Sequence, residues 1–235
     1  MENKTLRSAR MLLAVLVAAA IVVAALLIVL SQLGGGGVAG GGGSASKVDI
    51  AKLYSGIARD GTTLGKGSAP VTIYLYEDFQ CPYCGQFSRE TFPELVERYV
   101  REGKVRMVSE TLAFLGPDSV QAARAALAAA QQNRYWPYYS LFFEEQGQEN
   151  SGYVTSEFLQ GLAQKTPGLD VKEWNAQLTK DSFDSELEAA RSKAHSAGVN
   201  STPTLVLSGP GGQKKLVGLH NYDEVSTAIE QVDGS

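Results

Sequence analysis

Histidine and cysteine are scarce in this chain, two of each among 235 residues, and that scarcity removes whole classes of chemistry. A structural zinc site takes four ligands. The two histidines, His195 and His220, stand far from the cysteines and in no zinc-finger spacing. A lone histidine near a helix end reads as a surface group rather than a catalyst. A large excess of one charge is also missing: the net charge of −4 gives no case for nucleic acid as a partner. There is no internal repeat. Between Arg10 and Lys47 there is no charged residue at all.

What the chain does have is both cysteines in one place, Cys81-Pro82-Tyr83-Cys84, after a strand-like run and before a helix-like one. A thiolate at the first turn of a helix faces unpaired backbone N–H groups and the positive end of the helix dipole, which favours its charged form. In such settings a cysteine pKa falls from about 8.5 to roughly 3.5–7.5. The second cysteine, one turn on, is placed to attack a mixed disulfide formed by the first. A bridge across two intervening residues closes almost no loop, so a stabilising disulfide is a poor explanation. Half of a metal site and an idle thiol pair are the bland alternatives; the pattern points to redox chemistry.

Met11 to Leu30 is an unbroken apolar run with no polar face, long enough at 1.5 Å per residue for the roughly 30 Å core of a bilayer. It reads as a membrane anchor, with a cleaved signal peptide as the alternative, although such a leader has a shorter apolar centre. Lys4, Arg7 and Arg10 precede it and keep that end cytoplasmic, so the remainder lies outside the cell membrane. Two glycine blocks, 34–37 and 40–43, read as a flexible tether. The expected organisation is a cytoplasmic segment 1–10, an anchor 11–33, a linker 34–47 and one globular domain 48–235. The extracytoplasmic side is where disulfides form and persist.

Within the domain, Val71–Tyr76 alternates β-branched and aromatic residues and reads as a central strand. Glu77-Asp78-Phe79-Gln80 reads as a short loop, with Glu77 and Asp78 either solvated or assisting proton movement. A helix is predicted over 85–102, kinked at Pro93, then a strand over 104–108, which makes a βαβ unit. Helices follow over 118–133, capped by Asp118 or Ser119, and over 135–146, 155–164, 170–178 and 182–197. The aromatic run Tyr135–Phe143 reads as core packing, with a substrate-binding wall as the alternative; Trp136 and Trp174 also read as packing. Strands over 204–207 and 214–217 form a hairpin, and a helix over 221–232 is capped by Asn221.

This order, with CPYC at the first helix and Ser201-Thr202-Pro203-Thr204 before the third strand, resembles the thioredoxin fold. It is similar to the DsbA-like branch, including the membrane-tethered BdbD proteins, over roughly 56–232. The motifs that carry the resemblance are Asp78–Cys84 and Val199–Thr204, with Asp60–Gly65 and the aromatic run adding to it. The resemblance implies an α/β thioredoxin fold with an inserted helical subdomain at about 117–197, behind one N-terminal transmembrane helix. It implies that Pro203 is in the cis form beside the cysteines, and that the Thr202 backbone, Pro203, Pro82 and Tyr83 meet the substrate, an extended segment added as a strand. Two departures stand out: Tyr83 occupies a place where many DsbA-type oxidants have histidine, and Leu75 occupies the position, six before the first cysteine, where thioredoxins bury an acid.

The chemistry that follows is thiol–disulfide exchange with Cys81 as nucleophile and Cys84 as its partner, without metal or bound cofactor. The substrates would be reduced exported proteins, and an integral-membrane, quinone-linked re-oxidant of the DsbB or VKOR type is the implied partner. The readings that compete are an exported reductase or isomerase, a tethered peptide-binding module that needs no cysteine, and a metal-binding domain.

Overall fold

The computed structural model describes residues 48–234 apart from 181. The expected segments 1–10, 11–33 and 34–47 lie outside the described residues. Among the described residues, no helix is long and apolar enough to cross a membrane.

The described strands form one six-stranded sheet: β1 (Arg59–Asp60), β2 (Thr63–Leu64), β3 (Val71–Asp78), β4 (Val105–Leu112), β5 (Thr204–Gly209) and β6 (Gly212–Val217), in the order β1-β2-β4-β3-β5-β6. β3 is central as expected, parallel to β4 and antiparallel to β5, and it is buried on both faces. β1 and β2 form a two-residue hairpin that the sequence did not announce; it covers the outer edge of β4. β5 and β6 make the expected hairpin, closed by the pair Gly209 and Gly212 around Pro210-Gly211.

The crossover between β3 and β4 begins with α2 (Pro82–Glu90), preceded in the chain by a short α1 (Ile50–Leu53). The predicted single kinked helix is interrupted at Thr91 and resumes as α3 (Phe92–Leu95) with a π turn over Val96–Val100. Pro93 explains the break, since it has no N–H to return to the preceding turn. Beyond β4 come α4 (Pro117–Ala130), α5 (Tyr135–Glu144), α6 (Ser156–Lys165), α7 (Val171–Gln177) and α8 (Ser182–Ser196), the predicted helical block, and α9 (Tyr222–Asp233) closes the fold. Thr155, Asp170 and Asn221 cap their helices as the sequence suggests, Asn221 in a reciprocal capping box with Glu224. Asp118 and Ser119 do not cap α4. Its cap position is Gly116, at φ 103°, with Pro117 opening the helix; the two side chains are used elsewhere.

Two cores sandwich the sheet. Ile73, Leu75, Met107, Leu205 and Leu207 face one that includes Phe87 of α2 and Val225 and Ile229 of α9. Tyr76, Leu112 and Val206 face the other, under Ala190 and Ala194 of α8. Alanines on α4, from Ala122 to Ala130, are buried and let α5, α7 and α8 approach closely. The aromatic run of α5 is core packing: Tyr135 to Phe143 are all buried, and Trp136 stacks on Phe92 with ring centres 5.2 Å apart. The Trp136 indole donates to the Thr62 carbonyl and that of Trp174 to the Ala125 carbonyl, so neither tryptophan leaves a buried polar atom unpaired. Replacing Trp136 by Ala should therefore cost about 3–5 kcal/mol of stability. Chemical denaturation measures it, and a loss below about 1 kcal/mol, the range of surface substitutions, would contradict this packing.

Candidate active site

Cys81 occupies the cap position of α2, with Pro82 as the first helical residue, the place where a missing N–H costs nothing. Cys84 lies one turn on and is fully buried, while Cys81 keeps 4% of its surface. Both are free thiols. The sulfur of Cys81 lies 3.4 Å from the Thr202 carbonyl oxygen. The Thr202–Pro203 peptide is cis, as expected, so the structure brings together the two segments of chain that the sequence singled out. Tyr83 stands at the rim, 60% exposed, and Pro82 beside it is exposed too.

The two thiols are driven in opposite directions. The Cys81 thiol is lowered to about 6, first by hydrogen bonding from the Cys84 thiol, then by the Thr202 side chain and the backbone N–H groups of Cys84 and Tyr83, with burial opposing them. The Cys84 thiol is pushed well above the ordinary range, first by burial, then by the Cys81 thiol and the charge of Glu77. One sulfur is thus a thiolate near neutral pH and its neighbour holds its proton.

The stretch ahead of Cys81 is where sequence and structure part. β3 runs on through Glu77 and Asp78, and both are buried rather than standing in a solvated loop. Strand parity explains it, since Glu77 follows Ile73 and Leu75 on the inward face. Its Oε1 accepts from the Tyr139 hydroxyl at 2.9 Å, and its Oε2 has no hydrogen-bond partner among the described residues. Burial pushes the Glu77 carboxyl up, and the neighbouring Cys81 thiolate adds to the rise. Asp78 does a different job. Its Oδ1 accepts from Gln80 N and the Ser119 hydroxyl, and its Oδ2 from the N–H groups of Phe114 and Leu115, at 2.9 and 3.1 Å. It is a fully engaged internal anchor that ties the end of β3 to the entry of α4.

Two glutamines make contacts that the sequence did not announce, Gln80 within the Asp78–Cys84 motif and Gln146 outside any motif. Gln80 donates to the Tyr153 hydroxyl and accepts from Asn150 N, and Gln146 donates to the carbonyls of Phe79 and Cys81. Nothing in spacing or composition marks them, because their partners lie 65 to 73 residues away. His195 and His220 stay outside this constellation; His220 pairs with Glu224 at the start of α9.

The sequence model of the family described as Thioredoxin (Thioredoxin_4) matches residues 58–231. The chain belongs to this family. Among curated relatives, disulfide bond formation protein D of Bacillus subtilis is 27% identical over 170 residues, 72% of this chain and 75% of that protein. The solved structure of oxidised BdbD from Bacillus subtilis has a TM-score of 0.66 at 26% identity, covering 74% of this chain and 93% of that one. DsbA of Chlamydia trachomatis shares the fold, with a TM-score of 0.65 and 24% identity over 75% of this chain and 93% of that one. The chain is a DsbA-like thiol:disulfide oxidoreductase.

The lowered thiol of this DsbA-like site fixes a pH dependence. The folded Cys81 value lies below that of an unfolded cysteine, about 8.5. Its thiolate therefore stabilises the dithiol form fully above that pH, and the contribution is lost as pH falls through about 6. The stability difference between the reduced protein and its Cys81→Ser variant should shrink steadily over this window. A difference that does not change with pH would contradict the assignment, as would half-maximal alkylation of Cys81 near the ordinary cysteine value.

Proposed function

We propose that Cys81 and Cys84 carry a dithiol oxidase reaction that introduces disulfide bonds into exported proteins. The observation that supports it best is the opposed state of the two thiols beside Thr202-Pro203, one lowered to about 6 and the other raised. In the oxidised enzyme a substrate thiolate attacks the Cys81 sulfur. A mixed disulfide forms and Cys84 leaves, taking a proton. A second substrate thiolate then attacks the substrate sulfur of that mixed disulfide, and Cys81 leaves as a thiolate. The substrate has lost two electrons and the enzyme has gained them. A stable Cys81 thiolate favours the reduced enzyme, which is what an oxidant requires.

Glu77 supplies the proton inventory. Its raised carboxyl has one free oxygen and its charge is felt at Cys84. It donates as Cys84 leaves and accepts when Cys84 must attack during re-oxidation. Thr202 offers its backbone to an extended substrate segment, with Pro203, Pro82 and exposed Tyr83 forming the contact surface. The domain organisation extends the reading. Residues 11–33 anchor the chain, 34–47 tether it, and 48–235, with the helical insertion at about 117–197, work on the extracytoplasmic face of the cell membrane. A tether confines the domain near an integral-membrane, quinone-linked re-oxidant of the DsbB or VKOR type and raises its effective concentration there.

Two measurements test this. A Cys84→Ala variant should accumulate exported, cysteine-containing proteins covalently bound to Cys81, and the wild-type pair should show a potential well above the roughly −270 mV of thioredoxin. Trapping of a thioredoxin-like electron donor, or a potential at that value, would instead assign a reductase. Glu77→Gln should slow re-oxidation at neutral pH about a hundredfold while Cys81 alkylation is preserved; an unchanged rate would remove Glu77 from the mechanism.

A further inference from the structure

We propose that Gln146 is a positioning residue for the nucleophile, seated in a notch that exists because residue 85 is glycine. The chain leaves α5 at Glu144, and two residues later Gln146 turns its amide onto the active-site loop. Its Nε2 donates to the Phe79 carbonyl at 2.9 Å and the Cys81 carbonyl at 3.0 Å. The Cys81 carbonyl also accepts the first hydrogen bond of α2, from Gly85 N at 3.2 Å, so one oxygen joins the helix to the insertion. A Cβ built on Gly85 would stand 2.0 Å from Gln146 Oε1 and 3.0 Å from its amide carbon, and 2.9 Å from Arg89 Nη1, so an Arg89 variant separates the two contacts. Gly85 has no positive φ that would demand glycine, and a glycine inside a helix costs about 0.5–1 kcal/mol relative to alanine. What it provides is room above all for the amide of Gln146, the nearest group, with the Arg89 guanidinium beside it.

The consequence falls on the sulfur. The thiolate of Cys81 depends on a ring of donors: the Cys84 thiol and the N–H groups of Cys84 and Tyr83 from its own helix, and the Thr202 side chain across from it. The segment 79–81 has to be held in one conformation for these to converge. Gln146 is the group that ties its carbonyls down from the far side, and it engages their negative ends with N–H donors. Without it, two half-buried carbonyls lose a partner and the loop gains freedom to move the sulfur out of its ring of donors.

The inference rests on Cys81 being the nucleophile, but its test needs no substrate and no direction of electron flow. In the reduced protein, Gln146→Ala should raise the titration midpoint of Cys81 by about half a unit, read as an alkylation rate near pH 6 about twofold lower. Gly85→Ala should reproduce this by displacing the amide. The double variant should be no worse than either single one, because both remove the same contact. Arg89→Lys serves as the control. Arg89 ties α2 to α5 by donating to the Phe143 carbonyl, and makes no hydrogen bond to residues 79–81. It should lower thermal stability and leave the Cys81 midpoint in place. A wild-type midpoint in both Gln146→Ala and Gly85→Ala would overturn the proposal, as would effects that add in full in the double variant. Should Gln146→Ala fail to fold, Gly85→Ala, with its mild and helix-favouring change, decides alone. Failure of the oxidase reading would appear in the trapping and potential measurements and leave these midpoints untouched.

Discussion

The chain leading into the nucleophile is held residue by residue from one side. Glu77 bonds to Tyr139, Asp78 to Ser119 and the N–H groups of Phe114 and Leu115, and Gln80 to Tyr153 and Asn150 N. Between them Phe79 packs its ring on Phe142 and Phe143, with ring centres 4.8 and 5.3 Å away. The next carbonyl, that of Cys81, belongs to Gln146. All of these partners come from the stretch 114–153, which begins just past β4 and runs through α4 and α5. The helical block is therefore more than an ornament on a small α/β fold. It is the surface against which the catalytic loop is set, and its aromatic core gives that surface its rigidity.

On the other side the loop meets the Thr202–Pro203 turn, with the Cys81 sulfur against it and Cys84 buried one turn deeper. A site of this kind needs asymmetry, because two equivalent thiols would share the charge and neither would be a good leaving group. Depth supplies it here. Cys81 at the cap sees N–H donors, whereas Cys84 one turn lower sees apolar packing and a carboxyl group. Helix geometry sets up the difference: three positions on, the side chain turns from the open N-terminal end of the helix into the packed interior, where burial dominates. The same cysteine pair inside a helix or in a loop would lack this polarity.

Most of this was legible in the residues, for reasons that differ by element. β3 announced itself through alternation, α9 through Asn221 with Glu224, and the cysteines through their spacing. The Thr202–Pro203 turn could be paired with Cys81 only through family resemblance, since nothing local relates positions 121 residues apart. Glu77 and Asp78 were misplaced because acidic residues before a CxxC pair look like loop, and propensity gave no warning that the strand continues. Parity did carry the information: two steps beyond Leu75 on an inward face is inward again. β1 and β2 are two residues each, too short for any period to register. Gln146 was invisible because a glutamine that bonds to backbone carries no pattern, and Gln80, though inside the Asp78–Cys84 motif, gave no sign of its partners.

A buried carboxyl with one oxygen unpartnered is a liability to folding, since an unsatisfied polar atom in the interior costs about 1–3 kcal/mol. Asp78, next to it, shows that the fold can satisfy a buried acid fully when the role is structural: each of its oxygens accepts two hydrogen bonds. The contrast between neighbours on one strand is what the proton exchange proposed for Glu77 needs, an oxygen with no partner among the described residues. Its proton has somewhere to go only if Cys84 is near enough to feel its charge, and it is. An acid placed two residues after the strand position at which thioredoxins bury theirs keeps the same inward face by parity. The end of β3 thus divides two tasks between adjacent carboxylates, one locking the loop to the insertion and the other left unfinished beneath the thiols.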